Sequence, residues 1–232
     1  MGLYAYVIVE EIEENMDNKE YKKVIDYVCT RITEGSLVVG DRLPTERQLS
    51  EQMGVSRNCV REALRSMETF GMIESRQGSG NYLSCRMSEP ISEIFSMMLM
   101  LGATNMEDMK AFRMELDKQA CRALAARANR VTMADKLVAI LGETPGDGRT
   151  PVVDVDARFH YELLQLQGNR LWMTIADAIF PVYRKGIRDT LLHASAEEEQ
   201  QFQELHRMIC EGIRQGSYEQ CEQAIEEHYR LL

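Results

Sequence analysis

Apolar residues recur at helical spacing from residue 21 onward. Tyr21, Val24, Ile25, Val28 and Ile32 mark one face of a helix that starts near Asn18, its N-cap, runs to about Glu34 and stops at Gly35. Thr45 and Gln48 have capping-box spacing ahead of the apolar pair Leu49 and Met53. Gly54 follows, where a left-handed helix end favours glycine. Ser56 caps the next helix, which turns Val60, Ala63, Leu64 and Met67 to one side. Ile73 to Arg76 and Asn81 to Ser84 flank Gln77-Gly78-Ser79-Gly80, which predicts a hairpin with a glycine-rich tip. Beyond residue 90 no strand pattern returns. Helices are predicted at about 90–102, 105–129, 132–142, 152–167, 169–193, 196–215 and 217–231. Thr132, Ser195 and Ser217 stand at N-cap positions, and Ser195/Glu198 and Ser217/Gln220 fit capping boxes. Pro181 predicts a kink in its helix. Gly142 to Pro151 is rich in glycine and proline and reads as a surface loop.

The fold class is therefore mainly α. Residues 17–85 form a three-helix unit with a wing, a winged helix-turn-helix, and 86–90 a linker. Residues 91–232 form an all-α bundle of six to seven helices, and residues 1–16 precede both with no assigned role. Charge sharpens this division. The chain carries a net charge of −10, which argues against indiscriminate coating of nucleic acid. Residues 17–86 hold 11 Lys and Arg against 10 Asp and Glu, so the acidity lies outside the winged unit. The six cysteines form no CxxC and no close ladder, the pattern of reduced thiols in a cytoplasmic protein. Residues 1–16 lack the basic start and long apolar core of a signal peptide. The apolar run Ile94 to Leu101 is too short to span a bilayer, so no membrane partner is expected.

In the winged unit, long donors suited to phosphates and short polar groups suited to base edges gather at the start of the second helix. Arg47, Arg57 and Arg61 are the long donors, and Ser56 and Asn58 the short ones. Gly78 and Gly80 would let the wing backbone approach DNA closely. A lone arginine of this kind is more often just a solvated charge. The capped turn, helix and wing together favour DNA binding. The stretch LPTERQLSEQMGVSRNCVREALRSMETFGMIESRQGSGNYL is similar to the winged helix-turn-helix of the GntR family of bacterial transcriptional regulators. The resemblance implies DNA contacts by Arg47, Ser56, Arg57, Asn58, Arg61, Gln77 and Gly78. Where the family usually has hydroxyl or small polar residues, this chain has Asn58 and Cys59. Asn58 can read an adenine edge, and Cys59 is expected to pack.

In the second domain three of the four histidines share a pattern. Asp156 and His160 project from one helix face at i, i+4, and His206 and His228 lie on two later helices. Three imidazoles and a carboxylate suit Zn, Ni, Mn or Fe(II). Taken singly, each histidine is more often a hydrogen-bonded core residue. The segments FRMELDKQACRALAARA, DARFHYELLQLQGNRLW and ELHRMICEGIRQGSYEQCEQAIEEH resemble the FCD ligand-binding domain of the FadR-type GntR subgroup. That resemblance implies a divalent metal on Asp156, His160, His206 and His228. It also implies an organic-acid effector whose carboxylate meets Arg113, for which a guanidinium fork is suited. The bland alternative for Arg113 is a salt bridge. Asn169 reads as a helix start rather than a ligand, and the Met-rich segment ISEIFSMMLMLG as core or dimer contact.

The whole chain then reads as a homodimeric, ligand-responsive regulator, in most family members a repressor, on a pseudo-palindromic double-stranded operator. A small carboxylate effector would shift the relative placement of the paired DNA-binding domains. The rival class is a metal-dependent enzyme acting on a small organic acid. No Glu-x-x-His or His-Glu-x-x-His motif supports it, and no general base stands beside the metal ligands. A third reading is a binding module that has lost DNA recognition.

Overall fold

The computed structural model describes residues 19–142 and 152–232. The expected cap at Asn18, the segment 1–16 and most of the loop 142–151 lie outside these residues. By its contacts the chain divides into two units that meet between Pro90 and Ile91.

The first unit is α1 (Lys19–Thr33), α2 (Glu46–Met53), α3 (Arg57–Thr69), β1 (Ile73–Arg76) and β2 (Gly80–Leu83). Helix α1 buries Tyr21, Val24 and Val28 against α3, while Ile32 at the far end of the stripe stays exposed. Leu49, Val60, Ala63, Leu64 and Met67 join this core with Ile73 and Leu83 of the hairpin, and Cys59 packs into it. Removing a side chain of Leu or Val size from water contributes roughly 1.5–3 kcal/mol. Thr45 and Gln48 form the full capping box at α2, and Gly54 ends it in the left-handed conformation at φ 65°. Strands β1 and β2 pair antiparallel with Ile73 opposite Leu83 and Arg76 opposite Gly80. The wing tip is thus Gln77-Gly78-Ser79, one residue shorter than the pattern suggests.

The second unit is α4 (Ser88–Met100), α5 (Met106–Ala125), α6 (Arg130–Gly142), α7 (Val152–Gln167), α8 (Arg170–Leu192), α9 (Ala196–Gln215) and α10 (Tyr218–Leu231). Helix α4 starts inside the expected linker, with Pro90 in its first turn, where the missing N–H costs nothing. Helix α6 starts at Arg130, so Thr132 lies inside it rather than at its cap. Ser195 makes a complete capping box on α9. At α10 Ser217 accepts from the Gln220 N–H, but the reciprocal bond is not formed. Asn169 Oδ1 accepts from the Leu171 and Trp172 N–H groups, so this residue does start α8. That helix runs on through Pro181.

Helix α9 packs on α10 and α6, α5 on α10 and α7, and α7 on α8. Two half-buried arginines close helix ends, where backbone carbonyls lack partners. Arg127 donates to Leu166 O and Gln167 O at the end of α7, and Arg130 donates to Arg214 O at the end of α9. Gly212 sets the closeness of α9 to α10: a Cβ there would stand 2.6 Å from Cys221 Sγ and 3.0 Å from its backbone nitrogen. Helix α4 buries no residue fully; Phe95 and Leu99 lean on the core while Ile94, Met97 and Met100 are exposed. The Met-rich segment is therefore only partly core.

Two glycines at positive φ separate backbone strain from crowding. At Gly54 a Cβ meets nothing within 4 Å, whereas at Gly71 (φ 72°) it would lie 2.5 Å from Arg86 O. Gly54→Ala should cost roughly 1–2 kcal/mol from the left-handed backbone alone. Gly71→Ala should cost clearly more, because backbone must move. Urea unfolding of the two variants tests this, and equal losses would contradict the packing described for Gly71.

Candidate functional site

Four helices of the second unit carry inward stripes whose members are apolar except at one level. Helix α7 buries Asp156, Phe159, His160, Leu163 and Leu164, the i, i+3, i+4, i+7, i+8 spacing of a single face. Helix α9 does the same with Phe202, Leu205, His206, Ile209, Cys210 and Ile213, and α10 with Cys221, Ala224, Ile225, His228 and Tyr229. On α5 the stripe is Arg113, Asp117, Ala120, Cys121 and Leu124. Each histidine thus occupies a position where the fold places a hydrophobe.

These exceptions meet. Asp156 Oδ1 lies 2.9 Å from His228 Nε2, 3.4 Å from His206 Nε2 and 3.5 Å from His160 Nε2. The Nε2 atoms of His206 and His228 lie 3.4 Å and 3.5 Å from that of His160. All four residues are buried, and one ligand atom from each falls within 4.8 Å of the others. Three imidazole nitrogens and a carboxylate oxygen converging on one point suit a divalent transition ion, so this donor set fits a metal. Phe159 and Phe202 wall the site, the first with its ring centroid 4.3 Å from that of His206.

A second layer surrounds the four. His160 Nδ1 approaches Asp117 Oδ2 to 2.8 Å. The Tyr229 hydroxyl donates to the same oxygen at 2.6 Å and accepts from Arg113 Nε at 3.0 Å. Arg113 is fully enclosed, its guanidinium 4.0 Å above the Phe180 ring and 4.7 Å from that of Tyr183. It makes no salt bridge among the described residues, although the charges of Asp117 and Asp156 act on it. Arg113 Nη2, the Tyr183 hydroxyl, Asp117 Oδ1 and the Nδ1 atoms of His160 and His228 are buried without a hydrogen-bond partner among the described residues. Such orphaned groups are costly and call for an explanation. Phe180 also lines an open groove of about 900 Å³, together with Lys136, Arg158, Tyr161 and Arg184. Tyr183, Asp117 and Tyr229 escaped the sequence analysis; Asp117 had a signal in its four-residue spacing from Arg113 and Tyr229 in its place beside His228, whereas Tyr183 lies on α8, which carried no candidate.

The buried cluster sets two carboxylates against one guanidinium. Burial works against a charge on His160, but Asp117 and Asp156 outweigh it and lift this imidazole to about 9. Asp156 is opposed by burial too, yet the charge and hydrogen bonds of the three histidines hold it well below the usual carboxylate range. His206 goes the other way: burial, aided by the neighbouring histidines, drives it down to about 3. His228 is also lowered, chiefly by burial. One imidazolium therefore completes the charge balance when no ion is bound.

The other candidate face is on the first unit. Ser56, Arg57, Asn58 and Arg61 are all exposed on the first turns of α3. Ser56 Oγ caps the helix by accepting from the Cys59 N–H at 3.2 Å. Arg57, Arg61 and Arg65 follow at four-residue intervals and surround Glu46, whose carboxyl is lowered first by its hydrogen bond from Arg61. That bond is a fork, Nη2 to Oε2 at 3.0 Å and Nε to Oε1 at 3.3 Å, so only part of Arg61's five-donor capacity is free. The pair is exposed enough that a phosphate can compete for it. Arg47 sits 3.9 Å from Glu51 and is mostly exposed. Gln77 and Gly78 are exposed at the wing tip, where Gly78 has φ 72° and open space around it. Arg42, which the sequence pattern did not mark, bridges to Tyr82 and lays its guanidinium against Gly80. Arg42, Gln77 and Gly78 line a groove of about 340 Å³. Arg76 stacks over Tyr82 at 4.2 Å.

The electrostatics of the buried cluster generate a pH dependence. His160 has its folded value raised from 6.5 to about 9, so it stabilises the ion-free fold fully below pH 6.5, and that contribution is lost as pH rises toward 9. In the presence of chelator, the melting-temperature advantage of wild type over His160→Gln should shrink between those pH values. A calorimetric difference that stays flat from pH 6.5 to 9 would show that the two aspartates do not hold this proton.

With both sites described, likeness to known proteins can be set beside them. Residues 20–83 match the family described as bacterial regulatory proteins, gntR family, and residues 108–231, more than half of the chain, match the FCD domain. The chain is 26% identical over 202 residues to the HTH-type transcriptional regulator LutR of Bacillus subtilis, covering 85% of this chain and 92% of that protein. It is 41% identical over 70 residues to the Uxu operon regulator of Haemophilus influenzae, a match spanning 30% of this chain and only 26% of that one. A solved structure, Streptococcus agalactiae GntR, superposes with a TM-score of 0.67 at 25% identity, covering 91% of this chain and 97% of that one. The winged unit, the helical bundle and these matches together place the chain in the GntR family of bacterial regulatory proteins, with an FCD domain as its second half: a family of DNA-binding transcriptional regulators rather than of enzymes.

Proposed function

We propose that this regulator binds a divalent metal ion in its FCD domain and a small carboxylate beside it, and that the carboxylate controls operator binding by a homodimer. One observation carries the reading. Three imidazole nitrogens and one carboxylate oxygen converge in a buried site, and beside them one nitrogen of a buried guanidinium, Arg113 Nη2, and the Tyr183 hydroxyl lack partners. Asp156, His160, His206 and His228 hold the ion, whose bound charge favours an anion nearby. Arg113 Nη2 and the Tyr183 hydroxyl are the donors that receive the carboxylate. An orphaned pair of donors is what an absent anion leaves behind.

On DNA, Arg47, Arg57 and Arg61 meet phosphates and guanine edges, Ser56 and Asn58 reach the base edges, and Gln77 and Gly78 bring the wing to the backbone. Asn58 brings an adenine preference to the half-site. Two copies of α3 read a pseudo-palindromic operator. The exposed Ile94, Met97 and Met100 of α4 fit a pairing surface between copies, since apolar faces of this kind mark interaction sites. The effector acts by binding DNA-competent and DNA-incompetent states with different affinity, and repression is relieved when it favours the second.

Two measurements test this. Arg57→Ala should weaken operator binding by at least about tenfold, since one good side-chain contact is worth roughly 1–3 kcal/mol, while sedimentation shows the dimer intact. Wild-type affinity in a gel shift would sink the assignment of α3. Asp156→Ala with His206→Ala should reduce bound metal from about one ion per chain to none by elemental analysis, because four ligands become two. Unchanged metal content would rule out this site.

A further inference from the structure

We propose that Asp117 is a positioning residue for the metal centre, holding His160 with Nε2 toward the ion, and that Tyr229 moderates its grip on behalf of Arg113. This inference rests on the metal reading above. Asp117 is no ligand in that reading, and no motif marks it. It is completely buried on α5, one helical turn beyond Arg113. Its Oδ2 lies 2.8 Å from His160 Nδ1, the nitrogen opposite the one that faces the other ligands. A carboxylate there accepts the Nδ1 proton, leaving the Nε2 lone pair for the ion, and makes the imidazole a better donor. The same oxygen takes the hydroxyl proton of Tyr229 at 2.6 Å. Two donors thus share one acceptor, and each weakens the other. The second of them is bonded in turn to Arg113 Nε. Two hydrogen bonds and one close charged contact therefore run from the guanidinium proposed to receive the carboxylate to an imidazole proposed to hold the metal: Arg113 to Tyr229, Tyr229 to Asp117, and Asp117 Oδ2 to His160 Nδ1 at 2.8 Å.

The arrangement predicts opposite effects from two conservative variants. Asp117→Asn removes the charge that draws the Nδ1 proton, and zinc affinity should fall by about 10–100-fold, the usual cost of losing such a partner. Tyr229→Phe removes the competing donor, leaves Asp117 bound to His160 alone, and should tighten zinc by a few-fold. Asp117→Glu should recover part of the loss. Zinc competition against a chromophoric chelator at fixed pH gives the affinities. Nitrogen-15 NMR of the ion-free protein above pH 9, where the His160 imidazole is neutral, reports its tautomer, Nδ1–H in wild type and altered in Asp117→Asn. Circular dichroism confirms that both variants are folded. A purely packing role would weaken zinc in both variants, and that result would overturn the proposal. So would an Asp117→Asn variant with wild-type affinity and tautomer. A wild-type protein that binds no zinc, cobalt, nickel or manganese would instead bring down the metal reading itself, and the inference with it.

Discussion

The FCD bundle is built around a cluster of buried charge that it must keep dry. Asp117, Asp156 and Arg113 are all withdrawn from water, and three imidazoles join them. A buried charge without a partner is among the most costly features a core can hold. Here each charged member has polar or aromatic company: Asp117 between His160 and Tyr229, Asp156 among three imidazoles, Arg113 between aromatic rings and a hydroxyl. The surrounding fold follows from that requirement. Four helices must bring one residue each, or two, to a common level, and their apolar stripes must seal the cluster above and below. Gly212 lets α9 and α10 approach closely enough for His206 and His228 to meet at Asp156. Arg127 and Arg130 hold the ends of α7 and α9, the helices that carry His160 and His206.

The winged unit works under the opposite constraint. Its charges are exposed, nearly balanced and individually weak. The α3 arginines share Glu46, and surface pairs of this kind contribute little to stability. That leaves them available to phosphates, which dominate affinity for DNA. Arg42 and Arg76, gathered at the wing by the hairpin, add to the surface that the α3 residues begin.

Much of the fold was legible because its signals are local. The capping box at Thr45, the left-handed Gly54, the cap at Ser195 and the hairpin around Gly78 each depend on residues within a few positions. Signals failed where a local rule had two readers. Thr132 is a good capping type yet lies inside α6, because Arg130 is held at the end of α9 and the helix begins there. Pro90 resembled linker punctuation but fits the first turn of α4. Helix α5 shows a blurred period since its inward stripe carries, between Met109 and Ala120, Arg113 and Asp117, residues that any hydrophobicity pattern counts as surface.

For the site the boundary is just as clear. The amino-acid sequence by itself determined the helices, the faces on which Asp156, His160, His206 and His228 sit, and the arginine-bearing start of α3, for these follow from spacing of 3.6 residues per turn. Only the tertiary structure decided that the four side chains share one point, since no spacing along the chain relates α7 to α9 and α10. It also decided that Arg113 is buried against aromatic rings, and that Arg61 is held by Glu46. Asp117, Tyr183 and Tyr229 became visible only there. What distinguishes them is the orphaned or shared hydrogen bond each one makes, and hydrogen bonds between helices are set by packing, which no linear pattern records.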